Sequence, residues 1–287
     1  MGDSLRGQVA VVTGGGGGIG REIARGLAEE GASVAITGRT AATLEESAKL
    51  IESYSVKALP FPADVTDVAA MKRLVAETEA TFGPVDVFVS NAAIEGTFGP
   101  MWEVSNEAWR RTLEVNVMGG FNCAQAVLPG MVERRRGRLI FVGSGGGLFA
   151  VPYDTGYSTT KAALIRLCEG ISIEVEEFGI STWVIHPGVV HTGMSDTVLN
   201  DPAGRKWLPA YEQAMSRGAT PIELASQLCN FLASGEADGL SGRFVSVNDD
   251  YRDMARRAAE IRAGDMHTLR LKLVPTQPPP RAFQNPR

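Results

Sequence analysis

Gln8-Val9-Ala10-Val11-Val12-Thr13-Gly14-Gly15-Gly16-Gly17-Gly18-Ile19-Gly20-Arg21-Glu22-Ile23-Ala24-Arg25-Gly26-Leu27-Ala28-Glu29-Glu30 is the stretch that decides the architecture. Its β-branched opening reads as a buried strand and its close as an amphipathic helix. Between them lies a run of glycines. A strand, a glycine turn and a helix in that order let backbone N–H groups approach a pyrophosphate at the helix N-terminus, where the helix dipole favours negative charge. The glycines that matter, Gly14, Gly18 and Gly20, are not spaced as in G-x-G-x-x-G. The context still predicts a dinucleotide site with Ile19 on its wall.

Working outward, strand-like and helix-like segments alternate. Ser33–Gly38 reads as the second strand, 43–54 as helix, 56–64 as the third strand and 67–82 as helix. Val85–Asn91 reads as the fourth strand, 106–131 as one long helix and 138–142 as the fifth strand. A helix follows from Lys161 to Phe178, then a strand at 182–186, a helix at 221–234 and a last strand at 242–247. This beat predicts an α/β fold: a Rossmann-like, doubly wound parallel sheet of about seven strands with helices on both faces. One domain spans 1–248, with a substrate lid near 193–219. A charged helix and a Pro-rich tail, 249–287, complete the chain.

Ligands of such sheets bind beyond the carboxyl ends of the strands. Asp64, Asn91 and Ser144 all fall there, which predicts one shared cleft. The second strand ends in Gly38-Arg39 without the carboxylate that bonds a ribose 2′-hydroxyl. A guanidinium there suits a 2′-phosphate instead, which points to NADP(H), with NAD(H) as the alternative. Tyr157 and Lys161 are one helical turn apart and share a face. An ammonium beside a phenol favours the phenolate, so the pair is a candidate general acid/base. Ser144, at a strand end, could hold a reacting oxygen. Phe149, Tyr153, Val189 and Met194 are expected to form an apolar pocket for a hydrophobic carbonyl or alcohol.

The chain has 287 residues, 44% hydrophobic and 21% charged, with a net charge of -5. That balance speaks against a nucleic-acid or anionic-membrane surface. No apolar run reaches about 18 residues, and no secretory signal opens the chain. Cys123, Cys168 and Cys229 lie far apart in helical patterns, as buried thiols of a cytoplasmic protein would. His186, His191 and His267 have no metal-ligand spacing, so no metal is expected.

The assembled pattern resembles the short-chain dehydrogenase/reductase family. The matching residues run in the family's order: Thr13-Gly14-x-x-x-Gly18-Ile19-Gly20, Asp64-Val65, Ser90-Asn91-Ala92-Ala93, Asn116-Val117, Ser144, Tyr157-x-x-x-Lys161 and Pro187-Gly188-x-x-x-Thr192. Two departures are Ser90-Asn91-Ala92-Ala93, where the family usually has Asn-Asn-Ala-Gly, and Val247-Asn248-Asp249-Asp250, where it usually has Asp-Gly-Gly. The resemblance implies hydride transfer between NADP(H) and a carbonyl or secondary alcohol. It makes Tyr157 the acid/base, Lys161 its pKa-lowering partner and ribose ligand, and Ser144 the holder of the substrate oxygen. Asn116 holds a water linked to Lys161, while Val65, Ala92, Pro187, Gly188, Val190 and Thr192 line the cofactor. It also implies a homotetramer or homodimer. The alternatives are an NAD-linked alcohol dehydrogenase and a nucleotide-sensing protein without turnover.

Overall fold

Residues 9–13 form strand β1 (Val9–Thr13), buried along its whole length as its run of valines requires. The structure, a computed structural model, describes residues 2–272. In chain order come α1 (Gly18–Glu29), β2 (Ser33–Gly38), α2 (Ala41–Glu52), β3 (Ala58–Pro62), α3 (Val68–Phe82) and β4 (Val87–Ser90). Then follow α4 (Asn106–Leu113), a widened π turn (Glu114–Met118), α5 (Gly119–Arg134), β5 (Gly137–Val142), α6 (Thr155–Val175) and β6 (Ile180–His186). The rest is α7 (Gly193–Asn200), α8 (Pro202–Trp207), α9 (Pro209–Ser216), α10 (Glu223–Ser234), β7 (Arg243–Ser246), α11 (Tyr251–Arg256) and α12 (Ala258–Ala263). The sequence-predicted tail from Pro275 to Pro286 lies outside the described residues.

The seven strands form one parallel sheet in the order β3-β2-β1-β4-β5-β6-β7. Successive side chains of a strand point to opposite faces, and a parallel sheet buries both. Val12, Ile36, Val89 and Ile185 accordingly pack with Ile23, Leu27, Leu44 and Leu228 on one side. Val11, Phe88, Leu139 and Val184 pack with Met71, Cys123, Leu164 and Cys168 on the other. The edge strand β3 carries Pro60 and Pro62, which an edge tolerates because it leaves ladder N–H positions unused. This is the single Rossmann-like domain that the alternation predicts.

The order of strands reverses between β1 and β4, which pair directly, Val12 opposite Val89. A crevice opens at such a switch point. Strand and helix ends differ from the sequence reading by a residue or two, and three larger differences stand out. The long helix at 106–131 is broken by the π turn, because the Asn116 side chain is bound outside its own helix. The helix bearing Lys161 begins earlier, at Thr155, so that Tyr157 stands within its first turn. The charged segment after β7 is two short helices that meet at Arg257.

Candidate active site

At the switch point the glycine run turns with Gly14 at φ +67 and Gly18 at φ +50, conformations glycine adopts without strain. A Cβ on Gly20 would stand 2.2 Å from the Gly14 carbonyl oxygen, so the turn and α1 close on each other as only glycine permits. The N-cap of α1 is Gly17, and no side chain caps it. The first N–H groups of that helix therefore have no side-chain acceptor and face a cavity of about 390 Å³.

Gly14, Gly18, Ile19, Gly20, Arg39, Asp64, Val65, Asn91, Ala92 and Thr192 all line that cavity. Buried Thr13 ties β1 to the β4 end: its Oγ1 accepts from the Asn91 and Ala92 N–H groups at 2.9 and 3.0 Å. Asn91 Nδ2 in turn donates to the Thr13 carbonyl at 2.9 Å. Arg39 is exposed at the cavity mouth, with no hydrogen bond or ion pair among the described residues. A glycine cradle at an uncapped helix end fits a nicotinamide dinucleotide.

Met194, expected in an apolar substrate pocket, lines this cavity. Pro187, Gly188 and Val190 do not line it. Their segment is anchored from behind, where Val189 N–H donates to Thr220 Oγ1 at 3.1 Å and Val189 O accepts from Thr220 N–H at 2.7 Å. Arg111 and Val115 line the cavity and were invisible to motif reading. Arg111 pairs with Asp64 at 2.8 Å across 47 positions of sequence. Although burial works the other way, hydrogen bonds from Thr66 and the Arg111 guanidinium leave the Asp64 carboxyl below its usual range.

Beside the cleft, Ser144 opens a short helical turn after β5 and its Oγ accepts from Gly146 N–H at 3.2 Å. The turn lies flat on α6: a Cβ on Gly147 would be 2.8 Å from the Lys161 carbonyl carbon. His186, at the end of β6, accepts from Gly145 N–H through Nδ1 at 3.3 Å. Lys161 is buried at 2% exposure, its Nζ donating to Val142 O at 2.9 Å and lying 5.2 Å from the centre of the Tyr157 ring. Asn116 uses its amide on both sides of Ile94, accepting from the N–H and donating to the C=O, each at 2.8 Å. It donates also to Thr160 Oγ1 at 3.1 Å. Asn116 thus joins the β4–α4 loop to α6, and the π turn is the backbone adjustment that brings it there.

The electrostatics depart from the sequence reading. The expectation that Lys161 lowers the Tyr157 pKa does not hold in the chain itself. Burial raises the phenol well above its usual value, and the Glu95 charge adds to that, with only Ser144 pulling it down. Burial also weakens the ammonium, bringing Lys161 down to about 8 against the opposing pull of Glu95. Phe149 is 66% exposed and Tyr153 39%, whereas Val189 is half-buried. The Tyr153 ring packs against Trp207 of α8 at a 35° tilt, centroids 4.6 Å apart. Glu95 and Tyr211, which the sequence reading left out, stand within electrostatic reach of Tyr157.

The sequence profile of the family described as short chain dehydrogenase matches residues 8–203. A short chain dehydrogenase of Pseudocercospora fijiensis is 31% identical over 277 residues, 94% of this chain and 89% of its own. The 2-(S)-hydroxypropyl-CoM dehydrogenase 3 of Xanthobacter autotrophicus is 32% identical, covering 86% of this chain and 98% of its own. Among solved structures, an NAD+-bound xylitol dehydrogenase superposes with a TM-score of 0.79 at 26% identity, over 84% of this chain and 98% of that one. Among the described residues no helix is long and apolar enough to cross a membrane, and no cluster of metal-ligating side chains occurs.

Proposed function

The chain belongs to the short-chain dehydrogenases, and from that premise we propose that it moves a hydride between NADP(H) and a carbonyl or secondary alcohol, with Tyr157 as the acid/base. The observation that carries this reading is that Ser144 and Lys161 both stand against Tyr157, while Asn116 ties their helix α6 to Ile94 of the cavity wall.

When bound, the nicotinamide supplies or accepts the hydride. The chain's own residues handle the proton and the geometry. Tyr157 donates its phenolic proton to the substrate oxygen in reduction and removes it in oxidation. Its raised pKa keeps it in the donating form near neutrality. Ser144 hydrogen-bonds the same oxygen and stabilises the charge that develops on it. Lys161 holds the nicotinamide ribose and stabilises the phenolate when the proton has left. Asn116 fixes α6 against the β4–α4 loop and keeps a water in line with Lys161. Gly14, Gly18, Ile19 and Gly20 receive the pyrophosphate, while Asp64, Val65, Asn91 and Ala92 take the adenine half. Pro187, Gly188, Val190 and Thr192 hold the carboxamide end. Arg39 takes a 2′-phosphate. The segment 193–219, with α7, α8 and α9, acts as the substrate lid.

A second reading, NAD(H), is favoured by the NAD+-bound xylitol dehydrogenase to which the chain is similar. The buried cysteines Cys123, Cys168 and Cys229 support a reducing, cytoplasmic setting. Exposed Phe121 of α5 and Met118 of the π turn before it support a homodimer or homotetramer.

The test is the absorbance of reduced nicotinamide over a panel of carbonyls and alcohols with both cofactors, for the parent and Tyr157→Phe. The variant should bind nucleotide and lose about 10²–10⁴-fold in kcat. Unchanged kcat in Tyr157→Phe removes the phenol from the chemistry. Tight nucleotide binding without turnover of any substrate would favour the sensing protein.

A further inference from the structure

Arg21 follows the glycine run directly and lies outside the cavity lining. Its guanidinium is nonetheless fixed. Nε donates to Ser47 Oγ at 2.8 Å, and Nη2 donates to Gly16 O at 2.7 Å. Thr43 O at 3.3 Å and Glu46 Oε2 at 3.2 Å are further acceptors for Nη2. Ser47 is fully buried, and its own hydroxyl donates to Thr43 O at 3.0 Å. The first turns of α2 thus anchor the guanidinium, and its free edge reaches the glycine run. A Cβ on Gly16 would stand 2.6 Å from Thr43 Oγ1, so the run and α2 touch where Arg21 bridges them.

The bond to Gly16 O decides where the next donor points. A trans peptide sets its C=O and N–H on opposite sides, and the described residues hold no cis peptide. Gly16 lies outside the cavity lining and Gly17 within it. With the Gly16 carbonyl turned to Arg21, the Gly17 N–H is turned the other way. It has no acceptor among the described residues. Five consecutive glycines, Gly14 to Gly18, offer no side chain to fix their peptides, and glycine backbone changes conformation at little steric cost. A clamp from outside the run selects one orientation. A carbonyl that accepts from a cation also polarises its peptide and strengthens the N–H on the far side.

We propose that Arg21 is a positioning residue for the nucleotide: its bond to Gly16 O locks the Gly16–Gly17 peptide with the Gly17 N–H toward the pyrophosphate. The proposal rests on the reading of the glycine turn as a dinucleotide site. The pyrophosphate is common to both cofactors, so Arg21 serves NADPH and NADH alike. Arg39 differs, since its partner is a 2′-phosphate.

Arg21→Met and Arg21→Gln test it, with Arg25→Met as the control. Arg25 sits one turn further along α1, bonded to Glu22 at 2.7 Å, Glu29 at 2.9 Å and Tyr54 Oη at 3.0 Å, away from the glycine run. NADPH and NADH are titrated by protein fluorescence, and urea midpoints report folding. Both Arg21 variants should bind each nucleotide about tenfold or more weakly, with the ratio of the two affinities within about threefold of the parent's. With the alcohol or carbonyl of the panel that is turned over fastest, KM for the nucleotide should rise alike, while kcat at saturating nucleotide stays within about threefold. Arg25→Met should lower the urea midpoint and leave both affinities within about twofold. Either folded Arg21 variant decides; if neither folds, Arg21 is structural and the proposal falls. Unchanged nucleotide affinity in a folded Arg21 variant, a loss matched by Arg25→Met, or a loss confined to NADPH overturns the proposal and leaves the dinucleotide reading standing. A parent that binds neither nucleotide overturns both.

Discussion

Thr13→Val isolates what positions the cofactor cleft. Thr13 is fully buried at the end of β1, and its single oxygen accepts from two backbone N–H groups, those of Asn91 and Ala92, at 2.9 and 3.0 Å. Valine has nearly the same shape and suits a strand. The substitution therefore removes an acceptor without opening a cavity. Each N–H left without a partner costs about 1–3 kcal/mol when buried, and these are part-buried, so the pair should cost about 2–4 kcal/mol. Thr13→Ser keeps the oxygen and loses one methyl group, which should cost about 1 kcal/mol. The order of stability should then be parent, Thr13→Ser, Thr13→Val. The Asn91 loop is released in the valine variant alone, so nucleotide affinity should fall there and not in the serine variant. Urea unfolding midpoints and fluorescence titration with NADPH measure both. A valine variant at least as stable as the serine one would show that the hydroxyl does not hold the β1–β4 crevice together.

Three further outcomes follow from the geometry. Arg39→Ala should weaken NADPH binding by about tenfold or more, the worth of a charge-assisted contact, and leave NADH within about twofold; tighter NADH than NADPH binding in the parent would overturn the NADP(H) reading. The folded chain favours protonated Asp154, raised to about 8, so this group carries no penalty below about pH 4 and loses stability as pH rises from there through about 8. Asp154→Asn should then be more stable than the parent by roughly 1–3 kcal/mol near pH 9 and by nothing near pH 4; an equal offset in urea midpoints at both would refute the cause. Phe121, 41% exposed in the groove between α5 and α6, should lie in the subunit contact of the proposed homo-oligomer. Phe121→Glu should lower the mass measured by light scattering, and an unchanged mass would move the contact elsewhere.

What could be read from the sequence was whatever depends on neighbours along the chain. The glycine turn, the strand ends at Asp64, Asn91 and Ser144, and the Tyr157–Lys161 spacing are local patterns; the glycine turn, Asp64 and Asn91 line the cavity, and Ser144, Tyr157 and Lys161 are not among its lining residues. The π turn at Asn116 was not legible, because its cause is the backbone of Ile94, 22 positions away, rather than any breaker within Glu114–Met118. Arg111 belongs to no motif; its place in the cleft wall comes with Asp64, which meets it only in the fold. Glu95 carried no signal at all, since a lone acid in a loop ordinarily faces water. Met194 was expected against the substrate and lines the nucleotide cavity, because α7 starts beside Thr192 and turns its first residues toward the glycine run.

The largest departure is electrostatic, and it bears on how the site works. Spacing alone treats Tyr157 and Lys161 as an isolated couple in which the cation acidifies the phenol. In the fold, both are withdrawn from water, which penalises phenolate and ammonium alike. Glu95 then acts in opposite directions on the two, raising the phenol and steadying the ammonium. On the proposed reading, a bare site so arranged keeps the phenol protonated and able to give its proton to a carbonyl. Oxidation asks for the reverse, a phenol able to release that proton.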